Sequence, residues 1–225
     1  MMFDQLIIGN KASYDDFGAS VAGRTIVPPK KKVVRETVAF SNRVYDFSAI
    51  NGELYWEEQE LEYVLEMTAD SPEMLEAKKM AFSSWVMNAA DEKIIDPFIA
   101  GYHFVGTFDD LSYEDEEHMQ KTTATVTFLA YPYKIADVAT LYSYNIAAGM
   151  SRDVIVANGS SHRITPTLTT DAAIEITSGN TTYKATAGTF NDERFKLTAG
   201  ANVLTIKNLG TTDCSVEISF FEEVF

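Results

Sequence analysis

Four groups of residues in this sequence have types and spacings that chemistry could use. The stretch Gly18-Ala-Ser-Val-Ala-Gly23-Arg24-Thr25 has the outline of a phosphate loop with Arg in place of Lys. Such a loop needs a helix directly after it, so that backbone N–H groups and the helix dipole hold the phosphate. Ile26-Val27-Pro28-Pro29 follows instead, and two prolines forbid that helix. The acids Asp109, Asp110, Glu114, Asp115, Glu116 and Glu117 form the densest carboxylate cluster. A calcium loop wants alternating oxygen ligands, a mid-loop Gly and a terminal Glu, and the cluster has neither that spacing nor the glycine. It reads as a solvated loop between strands. Nothing in the sequence selects two of these acids as a glycosidase pair. The histidines His103, His118 and His162 share no metal-ligand spacing, and there is no Gly-x-Ser-x-Gly elbow. The expectation is therefore no catalytic residue, no cofactor and no metal.

The fourth group is basic. Lys30, Lys31 and Lys32 stand with Arg24 and Arg35 in an otherwise acidic chain, directly after Pro28-Pro29. One reading is a solvated hairpin edge that its lysines keep from pairing. The other is a contact with an acidic neighbouring copy, since identical subunits with separated charges can dock head to tail. On that second reading Arg24, Lys30, Lys31, Lys32, Arg43, Asp109, Asp110, Glu114, Asp115 and Glu116 are the candidate inter-subunit contacts. Glu57, Glu58, Glu60 and Glu62 read as exposed or interface positions of one long strand.

The elements that must carry these residues are largely strands. Residues 61–67 alternate, with Leu61, Tyr63, Leu65 and Met67 on one face. Residues 101–108 place Tyr102, Phe104 and Phe108 on one face, and 122–130 is β-branched and aromatic. Residues 33–40 and 43–47 are two more candidates, separated by a Ser41-Asn42 turn. One helix is clear, over about 72–89. Ser71 is its N-cap, Pro72 its first residue, and Glu73 an acid facing the dipole. Leu75, Phe82, Trp85, Val86 and Ala89 recur at helical spacing, so one face packs on a sheet. Beyond residue 150 come seven short strand candidates at sandwich spacing: 153–157, 164–169, 173–177, 182–186, 194–198, 202–207 and 215–221. The fold class is mainly β: an α+β domain over 1–135, a linker at about 136–149, and a β-sandwich over 150–225.

Charge follows the same division. The 225-residue chain carries 18 Lys+Arg against 33 Asp+Glu, a formal charge of −15. Residues 1–133 hold 11 and 23 of these, net −12, and residues 134–225 hold 7 and 10, net −3. So acidic a surface repels phosphate backbones and argues against nucleic-acid binding over a broad basic face. No stretch reaches the roughly 18 apolar residues of a membrane span. The first residues lack a basic n-region and a full apolar h-region, so the expected route is cytosolic until the chain joins something larger. The single cysteine, Cys214, allows no intramolecular disulfide and reads as a buried, inert thiol.

In order along the chain, Ile7-Ile-Gly-Asn10 with Ser13-Tyr-Asp-Asp-Phe17, Ile26-Val-Pro-Pro-Lys30 and Ser41-Asn-Arg-Val-Tyr-Asp-Phe47 precede the acidic strand and the Trp85 helix. Gly101-Tyr-His-Phe-Val-Gly106 and Ala130-Tyr-Pro-Tyr-Lys134 follow, and then a Thr-rich sandwich. This sequence of features resembles the distal tail protein family of long-tailed, non-contractile bacteriophages of Gram-positive hosts and their prophages. Many relatives carry a Gly-rich segment before the Asn-Arg motif, where this chain has Arg35-Glu-Thr-Val-Ala-Phe40.

The resemblance implies a tail-tube-like β domain with one helix that closes a hexameric ring. It implies a C-terminal sandwich similar to a galectin or carbohydrate-binding module. The partners it implies are the tail-tube protein above, a tail-tip protein below and, where anchored, receptor-binding proteins. The expected location is the virion tail tip, with assembly in the host cytoplasm. No enzymatic role is implied. DNA would pass through the ring without specific binding, and an acidic lumen suits that passage, with Glu57, Glu58 and Glu60 as candidate lumen-facing acids. The alternative is an adhesion module that recognises a cell-surface glycan. Sugar faces want exposed aromatics for stacking, and the second part offers Tyr183, Phe190 and Phe195 and no Trp.

Overall fold

The computed structural model describes residues 4–37, 39–40, 42–49, 52–116 and 120–225. His118 and Glu117, and Ser41 of the expected turn, lie outside them. The chain divides into two units, Met1–Lys134 and Ile135–Phe225. In chain order the first contains β1 (Ile7–Ile8), β2 (Lys11–Ala12), α1 (Ser13–Phe17), β3 (Ala19–Val27), β4 (Arg35–Thr37), β5 (Val44–Asp46), β6 (Gln59–Thr68), α2 (Pro72–Val86), β7 (Glu92–Ile95), β8 (Tyr102–Asp115) and β9 (Lys121–Ala130).

Strict alternation makes β6 the centre of this unit. Leu61, Tyr63, Leu65 and Met67 are all 0% exposed, and each intervening residue faces the other way. Antiparallel pairing on either side gives the strand order β2-β1-β7-β8-β9-β6-β3. β9 answers β6 with the same period, burying Ala124, Val126 and Phe128. One face of the sheet is closed by α2. Its start follows the sequence signals: the Ser71 hydroxyl accepts from the Met74 N–H, and Pro72 opens the helix. Leu75, Phe82 and Val86 on its inner face are fully buried, each stabilising the unit by roughly 1.5–3 kcal/mol. The helix ends at Val86, three residues before the expected end, and Met87 caps it through the Ser83 carbonyl.

α1 is a second helix, too short for a helical period to announce it. It brings Phe17 to stack on Trp85 at 4.7 Å between ring centroids, with Phe82 edge-on to both. Gly18 ends α1 at φ +69, in the left-handed region where only Gly is unstrained. The candidate phosphate loop is therefore a helix end followed by strand β3.

Among the described residues, 33–40 and 43–47 give strands only at β4 and β5, which pair with each other and with no strand of the large sheet. They belong to a long two-limbed arm between β3 and β6. Lys31 bridges Trp56, the Lys32 N–H donates to the Tyr55 carbonyl, and the Glu57 N–H donates to Lys30. Further out, the Phe47 N–H donates to Val34, and the Val34 N–H donates to the buried Ser48 hydroxyl.

The second unit is a sandwich of β11 (Thr140–Ile146), β12 (Ser151–Asn158), β13 (Thr167–Thr170), β14 (Ile174–Ser178), β15 (Thr181–Ala185), β16 (Gly188–Asn191), β17 (Gly200–Asn208) and β18 (Cys214–Phe220), flanked by β10 (Lys134–Ala136) and β19 (Glu223–Val224). One sheet runs β11-β18-β13-β16 and the other β12-β17-β14-β15. Two expectations are corrected. The linker at 136–149 contains β11, which pairs with β18 along its whole length. Residues 194–198 are not a strand: the Asp192 carboxylate forks the Arg194 guanidinium and accepts its N–H, an Asx turn, and only Leu197 bridges, to Ile164. The place of that strand is taken by β16.

Three buried asparagines staple the sandwich. Asn158 Nδ2 donates to the His162 and Leu197 carbonyls while its Oδ1 accepts from Ser160 N–H. Asn208 makes the equivalent set with Ile146, Thr212 and Gly210. Asn202 joins Val156, Thr198 and Gly200. Full satisfaction is what makes such burial tolerable. The edge of β12 is closed by two tyrosines from the other sheet: the Tyr142 and Tyr144 hydroxyls donate to the Ala157 and Ile155 carbonyls, and the Ala157 N–H donates back to Tyr142.

Candidate functional site

The face of the first unit's sheet opposite α2 is open, and cross-strand register fixes its content. Side chains directly opposite one another in an antiparallel pair share a face. Reading across β8, β9, β6 and β3, the rows are Thr107, Leu129, Glu60 and Val27; Asp110, Thr127, Glu62 and Thr25; Ser112, Thr125, Val64 and Gly23; Glu114, Thr123, Glu66 and Ser20. Five acids stand on a floor of Thr and Ser, with no basic residue in any of the four rows. Lys121 lies one step beyond, paired to Glu66 at 3.4 Å and Glu116 at 3.2 Å. Adjacent carboxylates such as Glu62 and Asp110 flank a threonine, so the face is strongly anionic and hydrogen-bonding, without an aromatic surface.

Register shifts occur at Ala22 in β3 and Asp109 in β8. These strands form the margins of the four-stranded region. β3 is the terminal strand, and β7 accompanies β8 only as far as Gly106. Gly106 is the close-approach glycine of this sheet. A Cβ there would sit 3.0 Å from Ile94 Cδ1 and 3.1 Å from the Leu129 carbonyl oxygen.

The structure separates the acids that the sequence grouped. Residues 109–115 are not a loop but the outer half of β8, and they alternate. Asp110 and Glu114 stand on the open face with Glu60. Asp115 stands on the covered face, where its carboxylate accepts from Lys79 Nζ at 2.7 Å. Lys79 is itself buried on α2, bridges to Glu76 at 2.8 Å and lies over the Tyr113 ring. The Lys79 hydrogen bond holds the Asp115 carboxyl below its ordinary range. Asp115 and Glu116 thus have partners within their own chain. Of the candidate lumen acids only Glu60 is on the sheet face; Glu57 and Glu58 lie on the arm's returning limb, across from the outgoing limb that carries Lys30, Lys31 and Lys32. Arg43 is on the arm beside β5.

Arg24 points to the covered side. Its guanidinium pairs with Asp96, which is 1% exposed, and stacks over Phe98 at 5.0 Å. The same Asp96 carboxylate accepts from the Tyr63 hydroxyl at 3.1 Å and from the Phe98 N–H at 2.7 Å. Burial, then the Asp96 charge, pushes the Tyr63 hydroxyl far up, so it stays a donor. Sequence reasoning missed Asp96. Its signal was a lone acid inside the apolar run Ile94-Ile95-Asp96-Pro97-Phe98-Ile99.

In the sandwich the aromatics that a sugar platform would need are spent on packing. Phe195 is 5% exposed, Tyr183 stands edge-on to it at 5.0 Å with its hydroxyl on the Arg194 carbonyl, and Phe190 packs against the core.

No protein-family model matches the sequence, and no curated protein matches it significantly. Among solved structures, the chain is similar to the Dit (gp 19.1) protein of SPP1, described as a paradigm of the hub adsorption apparatus in Gram-positive infecting phages. The identity is 13%, the TM-score 0.70, and each chain is covered to 100%. A chain of the phage P2 baseplate in its activated conformation with Ca is 9% identical, over 97% of this chain and 98% of that one, at a TM-score of 0.41. The full-length likeness to the SPP1 protein shows that the two share a fold, the one that the motif order implied.

Proposed function

We propose that this chain is a structural subunit of the distal end of a bacteriophage tail. On this reading copies close into a ring that joins the tail tube to tail-tip and host-adsorption proteins. The observation that carries the reading is the open face of β8-β9-β6-β3, acidic and rich in Thr and Ser, on a fold shared over its whole length with a hub protein. A face of that chemistry suits the wall of a DNA channel. Fixed carboxylates repel phosphates, hydroxyls keep the wall wetted, and the lack of lysine and aromatic side chains in its rows gives DNA nothing to hold.

Ring closure would use the margins of that face, β3 of one copy against the outer half of β8 in the next, a heterologous contact that closes by rotation. Asp109, at the β8 bulge, is the acid best placed for it. The role is non-enzymatic, the subunit count is taken as six, and the working location is the virion tail tip after assembly in the host cytoplasm.

Light scattering over a concentration series, with negative-stain microscopy of the same fractions, tests this. An open ring of about six copies is the expected result. A monomer at every concentration, including with tail-tube or tail-tip protein added, overturns it.

A further inference from the structure

Asn158-Gly159 is a chemically labile pair at a joint of the sandwich. Glycine has no side chain to hinder its amide, so the Gly159 nitrogen can turn back on the preceding side chain. That nitrogen gives up its proton and attacks Asn158 Cγ. The Cγ–Nδ2 bond breaks, ammonia leaves and a five-membered imide closes. Water then opens the imide at either carbonyl and leaves aspartate, or isoaspartate with the main chain rerouted through the side chain. No oxidant or reductant takes part.

The structure nonetheless demands both residues. Asn158 is 2% exposed and donates its two amide hydrogens to the His162 and Leu197 carbonyls, each at 3.1 Å. Its Oδ1 accepts from the Ser160 N–H at 2.9 Å. An ionised Asp has no hydrogen for either carbonyl. At 159 a Cβ would stand 2.6 Å from a Glu222 carboxylate oxygen and push that carboxylate off the Thr140 hydroxyl.

The same contacts hold the reaction off. Two acceptors fix the leaving nitrogen and a third bond fixes Oδ1, so the amide cannot swing toward the Gly159 nitrogen. The Glu222 carboxylate packed on Gly159 opposes the amide anion that must attack. Residues 222–225 then tie the loop down. The Glu223 N–H donates to Ser160 Oγ, the Ser161 N–H to the Glu223 carbonyl, and the Phe225 N–H to Ser161 Oγ. His162 Nε2 lies 3.1 Å from the Glu223 carboxylate.

Asn208 is the molecule's own comparison. It is 0% exposed and held by the equivalent set of three bonds, but Leu209 follows it in place of Gly.

We infer that Asn158 is a deamidation site gated by residues 222–225, inert while they lie on the loop and converted when the loop opens. The change is one-way. The product sets a carboxylate against the His162 and Leu197 carbonyls, in a loop already lined by Glu222 and Glu223. A sandwich that stays open long enough does not close as tightly again.

The full chain is incubated at mildly alkaline pH, folded and in urea, and mass spectrometry of its peptides counts Asp plus isoAsp at 158, 208 and 51. Asn51, followed by Gly52, is the other Asn-Gly pair of the sequence. In urea, 158 should convert at the rate of 51 and at least about tenfold faster than 208. In the folded chain, 158 should convert at least about a hundredfold more slowly than in urea. Ser160→Ala with Ser161→Ala removes two anchors of residues 222–225 and should speed folded conversion at 158 at least about fivefold, with 208 unchanged. Asn158→Asp should speed labelling of the buried Cys214 by a thiol reagent at least about tenfold. Equal rates at 158 in the folded and urea-treated chain, or equal rates at 158 and 208 in urea, overturn the site. A double alanine variant that converts at the parent rate overturns the gate. Parent-like Cys214 labelling in the Asn158→Asp chain overturns the one-way consequence.

Discussion

Replacing Asp96 by Ala should destabilise the first unit strongly. The carboxylate is 1% exposed and accepts three hydrogen bonds, from the Arg24 guanidinium, the Tyr63 hydroxyl and the Phe98 N–H. Removing one partner of a fully buried ion pair costs about 3–5 kcal/mol. The Arg24 side chain is 29% exposed and can recover some water, which lowers that share. The Tyr63 hydroxyl has no such relief, since Tyr63 is 0% exposed, and an unmet buried donor costs about 1–3 kcal/mol. Because these terms overlap, the expected loss is about 3 kcal/mol, against about 1 kcal/mol for Tyr63→Phe, which removes a donor and leaves the ion pair. Asp96→Asn should fall between, keeping an acceptor and losing the charge. Urea unfolding followed by tryptophan fluorescence isolates the effect, because both tryptophans, Trp56 and Trp85, lie in the first unit. A midpoint shift worth less than about 1 kcal/mol for Asp96→Ala, at unchanged slope, would refute the account of this site as a buried, mutually dependent cluster.

Gly106→Ala should destabilise the same transition by about 1–3 kcal/mol, since its Cβ meets Ile94, Leu129 and Ala130 in a closed sheet. The Lys79–Asp115 pair gives a pH signature. Asp115 has a depressed carboxyl, so its contribution is full above the ordinary aspartate value near 3.9 and is lost as pH falls through its lowered value. Lys79→Met should therefore flatten the fall in urea midpoint below about pH 4, and an unaltered acid limb would exclude the pairing. Converting Glu60, Glu62, Asp110 and Glu114 to Lys should leave the fold intact and give salt-sensitive DNA binding in a gel shift where none is expected of the parent chain; no shift at low salt would argue against an accessible open face. Burial, then Asp171 and Asp213, raises the Cys214 thiol, so a thiol reagent should react slowly until the sandwich unfolds. Fast labelling in the folded protein would contradict the packing.

The elements read correctly from sequence are those in which one period runs long enough to be counted. β6 and β9 alternate for ten residues each, and α2 has a Ser-Pro-Glu start and an apolar face. The failures share a cause. The outer half of β8 also alternates, but its open-face positions are Asp and Glu, and charge there reads as loop when the burying partner is a helix distant in sequence. α1 spans five residues, less than the pattern needs. β11 was hidden in a stretch whose Tyr142 and Tyr144 are amphipathic rather than plainly apolar. The open face itself was half legible: the acid excess before residue 133 predicted an acidic surface, while only register could say that Glu62, Glu66, Asp110 and Glu114 share it and that Glu57 and Glu58 do not.

The tyrosine seal on β12 has a bearing on traffic in a crowded cell. Where many copies of a chain are made together, a bare strand edge invites mispairing between them. In the sandwich, the hydroxyls of Tyr142 and Tyr144 occupy the carbonyls that a stray strand would need, so that unit offers a newcomer nothing to copy at this edge. A Tyr142→Phe, Tyr144→Phe chain should therefore aggregate, as read by light scattering, under conditions where its fold is intact.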